Sequence, residues 1–413
     1  MISQFHYFLS LKFFDGASTL YLISALLYLI YIVYRNSTVA TTARLLTTAG
    51  WIAHTVALIL RWKAAGLEHP PWSNLYESIV FFVWGMLLVY QVVQYRMYVP
   101  LVGSFVLPFA VIGLGVAAFG TDREITPLVP ALRSKWIFIH VAMACIAYPS
   151  FLVGSVFALL YLMKDKVPKE YFGAAVAALS GSTVLVTMGY PFIPLSFVQE
   201  FSLTSVALYF MAFLFYSLAI KRSHPFFEQW GQGGQWGQWA KRLLMGALLV
   251  HAGDLSLIFY HSVSHPEDLL FHLIPFKIGM SAAALLMVIL FMFYGRFEEK
   301  LIQILPNKDM LDRLSFKANL FGLPMVTLLL VTGGIWAHSA WGRFWGWDPK
   351  ETWGLITWFT YAIYIHSRLV SGWKGRKSAV ISLIGFFVVM FTYLGVNVLL
   401  SGLHSYGRPN PES

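Results

Sequence analysis

Apolar residues along this 413-residue chain gather in long stretches separated by short polar connections. A helix needs about 20 apolar residues to cross a bilayer core. Twelve stretches approach that length, at roughly 17–34, 45–62, 76–95, 100–119, 136–163, 171–190, 200–220, 243–263, 275–294, 319–338, 354–370 and 379–402. The pattern predicts an all-α, polytopic membrane bundle of about 12 transmembrane helices. The first stretch is too long for a signal h-region and has no small-residue cleavage site behind it, so it is expected to persist as a helix.

Assigning the connections alternately to two sides sorts the 29 Lys and Arg into 19 and 10. The richer side, from Arg35 and Arg44 to Arg376 and Lys377, is cytoplasmic or stromal by the positive-inside rule. Both termini are then external. Composition sharpens this picture. With 58% hydrophobic and 12% charged residues the chain lacks a soluble surface, which excludes a water-soluble enzyme. The formal charge of +10 follows the loops, so it orients the protein in a membrane and does not point to nucleic acid. The single cysteine, Cys145, excludes a disulfide framework or a thiolate metal cluster made by this chain alone.

Six of the 15 Trp fall between Trp336 and Trp358, in WAHSAWGRFWGWDPKETWGLITW, on the external side. An interfacial aromatic belt explains one or two per helix end but not Trp341, Trp345, Trp347 and Trp353 in one connection. Asp348, Pro349 and Glu351 spell a helix start with N-cap, N1 and capping-box N3. The loop is therefore expected to be a rigid aromatic shelf suited to a large planar apolar ligand with an anionic edge, which Arg343 and Lys350 would meet.

The topology also sorts the twelve histidines. His140 lies about a turn inside the external end of its helix, and His404 follows the last helix at the same face. Each alone reads as an ordinary interfacial residue. Together with the Trp loop they match what six-coordinate heme iron requires, axial nitrogens from two sides with apolar walls. His54 and His366 lie deeper, where an imidazole faces a cavity, a partner or a ligand path. His69 and His338 are placed to line the external site. His251, His261, His265 and His272 gather round one outer loop without a tight ligand spacing.

WGRFWGWDPKETW, ITWFTYAIYIHSR and GVNVLLSGLHSYG resemble the C-terminal half of the CcsA (ResC) cytochrome c biogenesis proteins, system II members of the WWD heme-handling superfamily. HPPWSNLYES and SKWIFIHVAMACIAYPSFLVGSVFALLYL resemble the family's external signature and its first histidine helix. The resemblance covers roughly 45–163 and 309–407. It implies heme b as the bound substrate, with His140 and His404 as axial ligands of external heme. It also implies His366 as an intramembrane ligand, and Trp336, Trp341, Trp345, Trp347, Asp348, Trp353, Arg343 and Lys350 as the surrounding site. The implied activity is a cytochrome c synthase subunit that exports heme and joins it covalently to the CxxCH segment of apocytochrome c. It would work with a CcsB (ResB)-like membrane partner in a bacterial plasma membrane or a thylakoid. Two departures stand out. Family members of usual size have eight helices, so 164–295 reads as an inserted four-helix segment between regions 1–163 and 296–413. At His338 the family often has Asn. Two other readings remain open: a heme transporter that hands its cargo on without forming the thioether, and an electron-transfer subunit with bis-His heme.

Three further features read as structural. Asn74 and Glu77 form a second N-cap and N3 pair. Pro149 is expected to bend the His140 helix. Residues 221–242, rich in Gly, Gln and Trp, form an interfacial connector or a docking surface. The chain carries no Walker motif, Rossmann fingerprint or catalytic triad.

Overall fold

The computed structural model of the protein describes residues 2–66, 68–72, 74–97, 99–120, 123–125, 134–188, 196–222, 234–264, 285, 288–289, 291–292, 298–299 and 301–396. Eleven α-helices are bounded among the described residues: α1 Ile2–Tyr34, α2 Ser37–Ala65, α3 Leu75–Met97, α4 Pro100–Gly120, α5 Lys135–Lys164, α6 Lys169–Met188, α7 Ser196–Arg222, α8 Gly234–Ser264, α9 Lys308–Trp341, α10 Pro349–Leu369 and α11 Arg376–Met390. Further helical residues lie within 285–304, and no strand is found among the described residues. Six of the helices are long and apolar enough to cross a membrane. The chain is a multi-pass, all-helical membrane protein.

Several helices outrun their apolar windows. α1 has 33 residues and α9 has 34, about 50 Å each at 1.5 Å per residue, against a hydrocarbon core of about 30 Å. Charges such as Lys12 and Asp15 end the apolar window, but they do not break a helix that contains no proline.

The chain divides into two compact units. One comprises Met1–Ala118, Asp122–Asp165 and Leu305–Ser413, and the other comprises Phe119–Thr121 and Lys166–Ile304. The second unit packs α6, α7 and α8 round small residues, Ala174, Ala177, Ala212, Ala240 and Ala247, with Tyr209 and Tyr216 filling the gaps. In it His251 is fully buried, with Nδ1 3.1 Å from the Tyr209 hydroxyl.

In the first unit, α5 and α9 run antiparallel in one register along their whole length. Gly333 faces His140, Gly322 faces Phe151, Gly154 faces Asn319, and Lys308 reaches Asp165. At the first three of these positions a glycine leaves no room for a Cβ against the opposite side chain, so the helices approach closely. Pro149 lies inside α5 and cannot donate to the carbonyl four residues earlier, that of Cys145. That carbonyl turns towards α3, where a Cβ at Gly85 would collide with it.

Two capping expectations hold. Asn74 Oδ1 accepts from the Glu77 amide at 2.8 Å. The side chain of Glu77 also forms a fully buried ion pair with Arg61 at 2.7 Å. The Arg61 guanidinium also donates to the carbonyls of Arg123 and Glu124 and lies over the Tyr76 ring. The segment round Asn74 and Glu77 is thus part of a structural clasp among α2, α3 and residues 123–125.

Candidate functional site

His140 sits where the two antiparallel helices meet the Trp-rich loop. Its Nδ1 lies 2.9 Å from the carbonyl oxygen of Leu329 on α9. A carbonyl only accepts, so Nδ1 carries the proton and the lone pair of the neutral ring is on Nε2. The ring stacks on Trp336 with centroids 5.7 Å apart and planes at 24°. Opposite it is Gly333, where a Cβ would lie 2.7 Å from Cε1. His140 itself is half-buried.

From Trp336 the aromatic series continues outward. Trp336 is 1% exposed and packs with Ile137, Phe138 and Val141 of α5 and with Ala340 and Trp341. It therefore faces His140 and the helix core, and would meet a ligand only through the His140 ring. Trp341 is half-buried and meets Trp336 edge-on at 4.8 Å. α9 ends there through Gly342, whose left-handed backbone (φ 72°) lets its amide close back on the His338 carbonyl. His338 is exposed and stacks flat on Phe344, planes at 1° and centroids 4.3 Å apart.

The loop is held by the carboxylates of Glu351 and Asp348. Glu351 Oε2 accepts from the amides of Gly346 at 2.8 Å and Asp348 at 3.2 Å, and Asp348 caps α10 with Pro349 in its first turn, completing the capping box read from the sequence. Arg343 is exposed, and its guanidinium lies over Gly346 in the space a Cβ there would take. Trp345 and Trp347 meet edge to face at 5.7 Å. Trp347 is 70% exposed and adopts φ 56°, a left-handed conformation that costs a bulky residue about 1–2 kcal/mol. Backbone strain that presents an indole to solvent is the kind of cost kept at binding loops.

Lys350 follows the cap. It is half-buried, and the packing round its ammonium removes enough water to lower its pKa to about 8, against the pull of the Asp348 carboxylate. Trp353, half-buried on α10, packs on Phe391 at 4.2 Å. There α11 passes into a π-helical turn, Phe391–Gly395, and the Thr392 hydroxyl reaches the Trp353 carbonyl at 3.1 Å. Single π turns inside helices recur at functional sites.

The remaining candidates are spread out. His366 is on the outer face of α10, exposed in one row with Ile356, Phe359 and Ile363. His54 is fully buried beside Phe14, with Tyr21 3.4 Å from its Nδ1. His69 is buried, and its amide donates to Gly66. His404 and residues 223–233 lie outside the described residues, as do the side chains of His261, His265 and His272. No group of three or more metal-ligating side chains is found among the described residues.

Sequence reasoning reached His140 through its depth and side, and reached the loop through Trp density. It missed Gly333 and the Leu329 carbonyl, because neither residue type carries a chemical signature.

The chain matches the family model described as cytochrome C assembly protein over residues 72–173 and 169–404. It is 30% identical over 373 residues to "Cytochrome c biogenesis protein CcsA" of Trieres chinensis, covering 88% of this chain and 87% of that protein. The protein of the same name from Picosynechococcus sp. is 32% identical over 351 residues, covering 84% and 82%. Among solved structures, "Cytochrome c Heme Lyase CcmF" aligns with TM-score 0.34 and 13% identity over 97% of this chain and 72% of that one, a likeness too slight to transfer anything.

Proposed function

The chain belongs to the cytochrome c assembly protein family as a CcsA-type cytochrome c biogenesis protein, and from that premise we propose that it exports heme b and presents it for covalent attachment to apocytochrome c. Its twelve spans would leave both termini outside the membrane, a bacterial plasma membrane or a thylakoid. Regions 1–163 and 296–413 would form the heme-handling part.

The observation that carries this reading is the state of His140. Its Nε2 holds the lone pair, its Nδ1 is tied to a backbone carbonyl as ligand histidines are, and it adjoins a strained, indole-rich loop. That donor chemistry fits a heme iron. His140 and His404 would be the axial ligands at the external face, with Trp341, Trp345, Trp347 and Trp353 against the porphyrin. Arg343 and Lys350 would meet the propionates, and Asp348 would hold the loop. Trp336 would act through His140.

His366 would contribute an axial nitrogen within the membrane. Its place on an outward-facing row of α10 favours a second ligand from a CcsB-like partner, since a lone imidazole on a lipid-facing surface is costly. In the reaction, the two thiols of CxxCH add to the two vinyl groups. Each sulfur bonds to one vinyl carbon, the thiol proton goes to the other, and no net oxidation occurs. The substrate's own histidine then takes one axial position. The chain's contribution is orientation, water exclusion and proximity.

The purified protein should show a low-spin bis-His heme spectrum. His140→Ala and His404→Ala should each lose it, with partial restoration by imidazole. Heme content and spectrum unchanged in both variants would overturn the assignment. Co-production with a CcsB-like partner in cells lacking their own maturation system should attach heme covalently to a reporter cytochrome; free heme handover without the thioether would reduce the role to transport.

A further inference from the structure

We propose that one face of α9 is a histidine socket, in which Gly333 is a positioning residue for His140 and Trp336 its wall. The proposal rests on the reading of His140 as an axial ligand. Three residues of α9 act on the ring, and their spacing of four and three residues stacks them on one helical face. The Leu329 carbonyl takes the Nδ1 proton at 2.9 Å. Gly333 leaves the space the imidazole occupies, since a Cβ would stand 2.7 Å from Cε1 and 2.8 Å from Nδ1. Trp336, buried and locked by Ile137 and Trp341, covers the ring at 24°. The Thr332 hydroxyl lies 3.4 Å from the same Leu329 carbonyl and is itself buried.

Each contact removes one freedom of the imidazole. The carbonyl fixes the tautomer and makes Nε2 more basic. The glycine fixes how deeply the ring is seated in α9. The indole fixes the plane in which Nε2 points. A histidine on an isolated helix would have none of these constraints, and its ring would turn with its rotamer. The ligand is thus aimed by the helix that also bears the Trp loop, so axial ligand and aromatic shelf share one rigid element.

The test uses the full-length protein, reading heme retention and low-temperature EPR g values. Gly333→Ala pushes the ring off the carbonyl and should weaken heme retention about 10-fold, the lower end of what loss of an outer-shell partner costs a metal site, with shifted g values. Trp336→Leu keeps an apolar wall without the stack, leaves the backbone intact, and should change the g values more than the retention. In His140→Gly loaded with heme and free imidazole, the ligand is no longer tethered to α5. There Gly333→Ala should change retention less than about twofold, because the untethered imidazole is not obliged to use the socket.

Wild-type retention and g values in both Gly333→Ala and Trp336→Leu would overturn the socket while leaving the ligand assignment intact. An equal loss from Gly333→Ala with tethered and with free imidazole would overturn it too, since the glycine would then serve helix packing alone. If His140→Ala leaves the heme spectrum unchanged, it is the ligand reading that fails, and the socket fails with it.

Discussion

At one end of the α5–α9 pair, carboxylates close the structure. Asp165 takes Lys308 and Arg376, each at 2.8 Å, and Asp312 takes Arg368 through two bonds of 2.7 Å and the Gly375 amide at 3.0 Å. Arg368 also donates to Ser378 and lies over Phe316. At the other end Glu351 holds the loop by two backbone amides and Asp348 caps the helix, while Lys350 is half-buried and an indole is held in a left-handed backbone. The first end satisfies its charges internally and needs no ligand. The second keeps a half-buried lysine beside the Asp348 carboxylate and an indole in a left-handed backbone.

The largest break in the comparison should come from Asp312→Ala. It leaves Arg368, 7% exposed, without its carboxylate, which for a buried pair costs about 3–5 kcal/mol. Chemical denaturation should show that loss, while the heme spectrum of the surviving folded protein stays as in the wild type.

Next in size is the alkaline response of Lys350. Its pKa is about 8 when folded against about 10.4 unfolded. The cost of burying it is fully present below pH 8. Between the two values the unfolded chain holds more protons, so stability should rise with pH, by at most about 1.4 kcal/mol per unit. Lys350→Met should abolish this slope. Bound heme should abolish it as well, through pairing with a propionate; a slope that persists with heme bound would separate Lys350 from the ligand's anionic edge.

The smallest expected effect is on the strain itself. Trp347→Gly should relieve the left-handed backbone and stabilise the fold by about 1 kcal/mol, yet weaken heme retention. Improved retention would remove Trp347 from the site. The opposite end answers to acid instead. Burial alone would raise the Asp165 carboxyl, but the hydrogen bonds from Lys308 and Arg376 outweigh it and hold the pKa below its ordinary value. Its contribution is present above about pH 4 and is lost as pH falls through the folded value. Asp165→Asn should flatten thermal stability in that window.

Both helix starts, at Asn74 and at Asp348, were legible in the sequence because capping is a matter of three or four consecutive residues. The apolar windows likewise located the eleven bounded helices, although not their ends: nothing in residues 2–16 of α1 interrupts helix geometry once polarity returns, while the window 275–294 lies largely outside the described residues. The place of His366 on the helix after the Trp loop could be read, whereas its outward direction depends on which face of α10 its neighbours cover. The socket was out of reach for a different reason. Leu329 and Gly333 are nearly two hundred residues from His140, and a glycine that makes room looks like any other. So does the partnership of Pro149, Cys145 and Gly85, in which a missing hydrogen bond on one helix sets the residue tolerated on another. The burial of Arg61 and Glu77 was hidden too, since charges near helix ends ordinarily face water.

The single register of α5 against α9 has a mechanical consequence. Sliding one helix past the other by one residue, about 1.5 Å, would part Lys308 from Asp165 and the Leu329 carbonyl from His140 in the same movement. The close fits at Gly154, Gly322 and Gly333 resist such a slide along the whole pair, so the seat of the imidazole is held by packing that extends about four helical turns away from it.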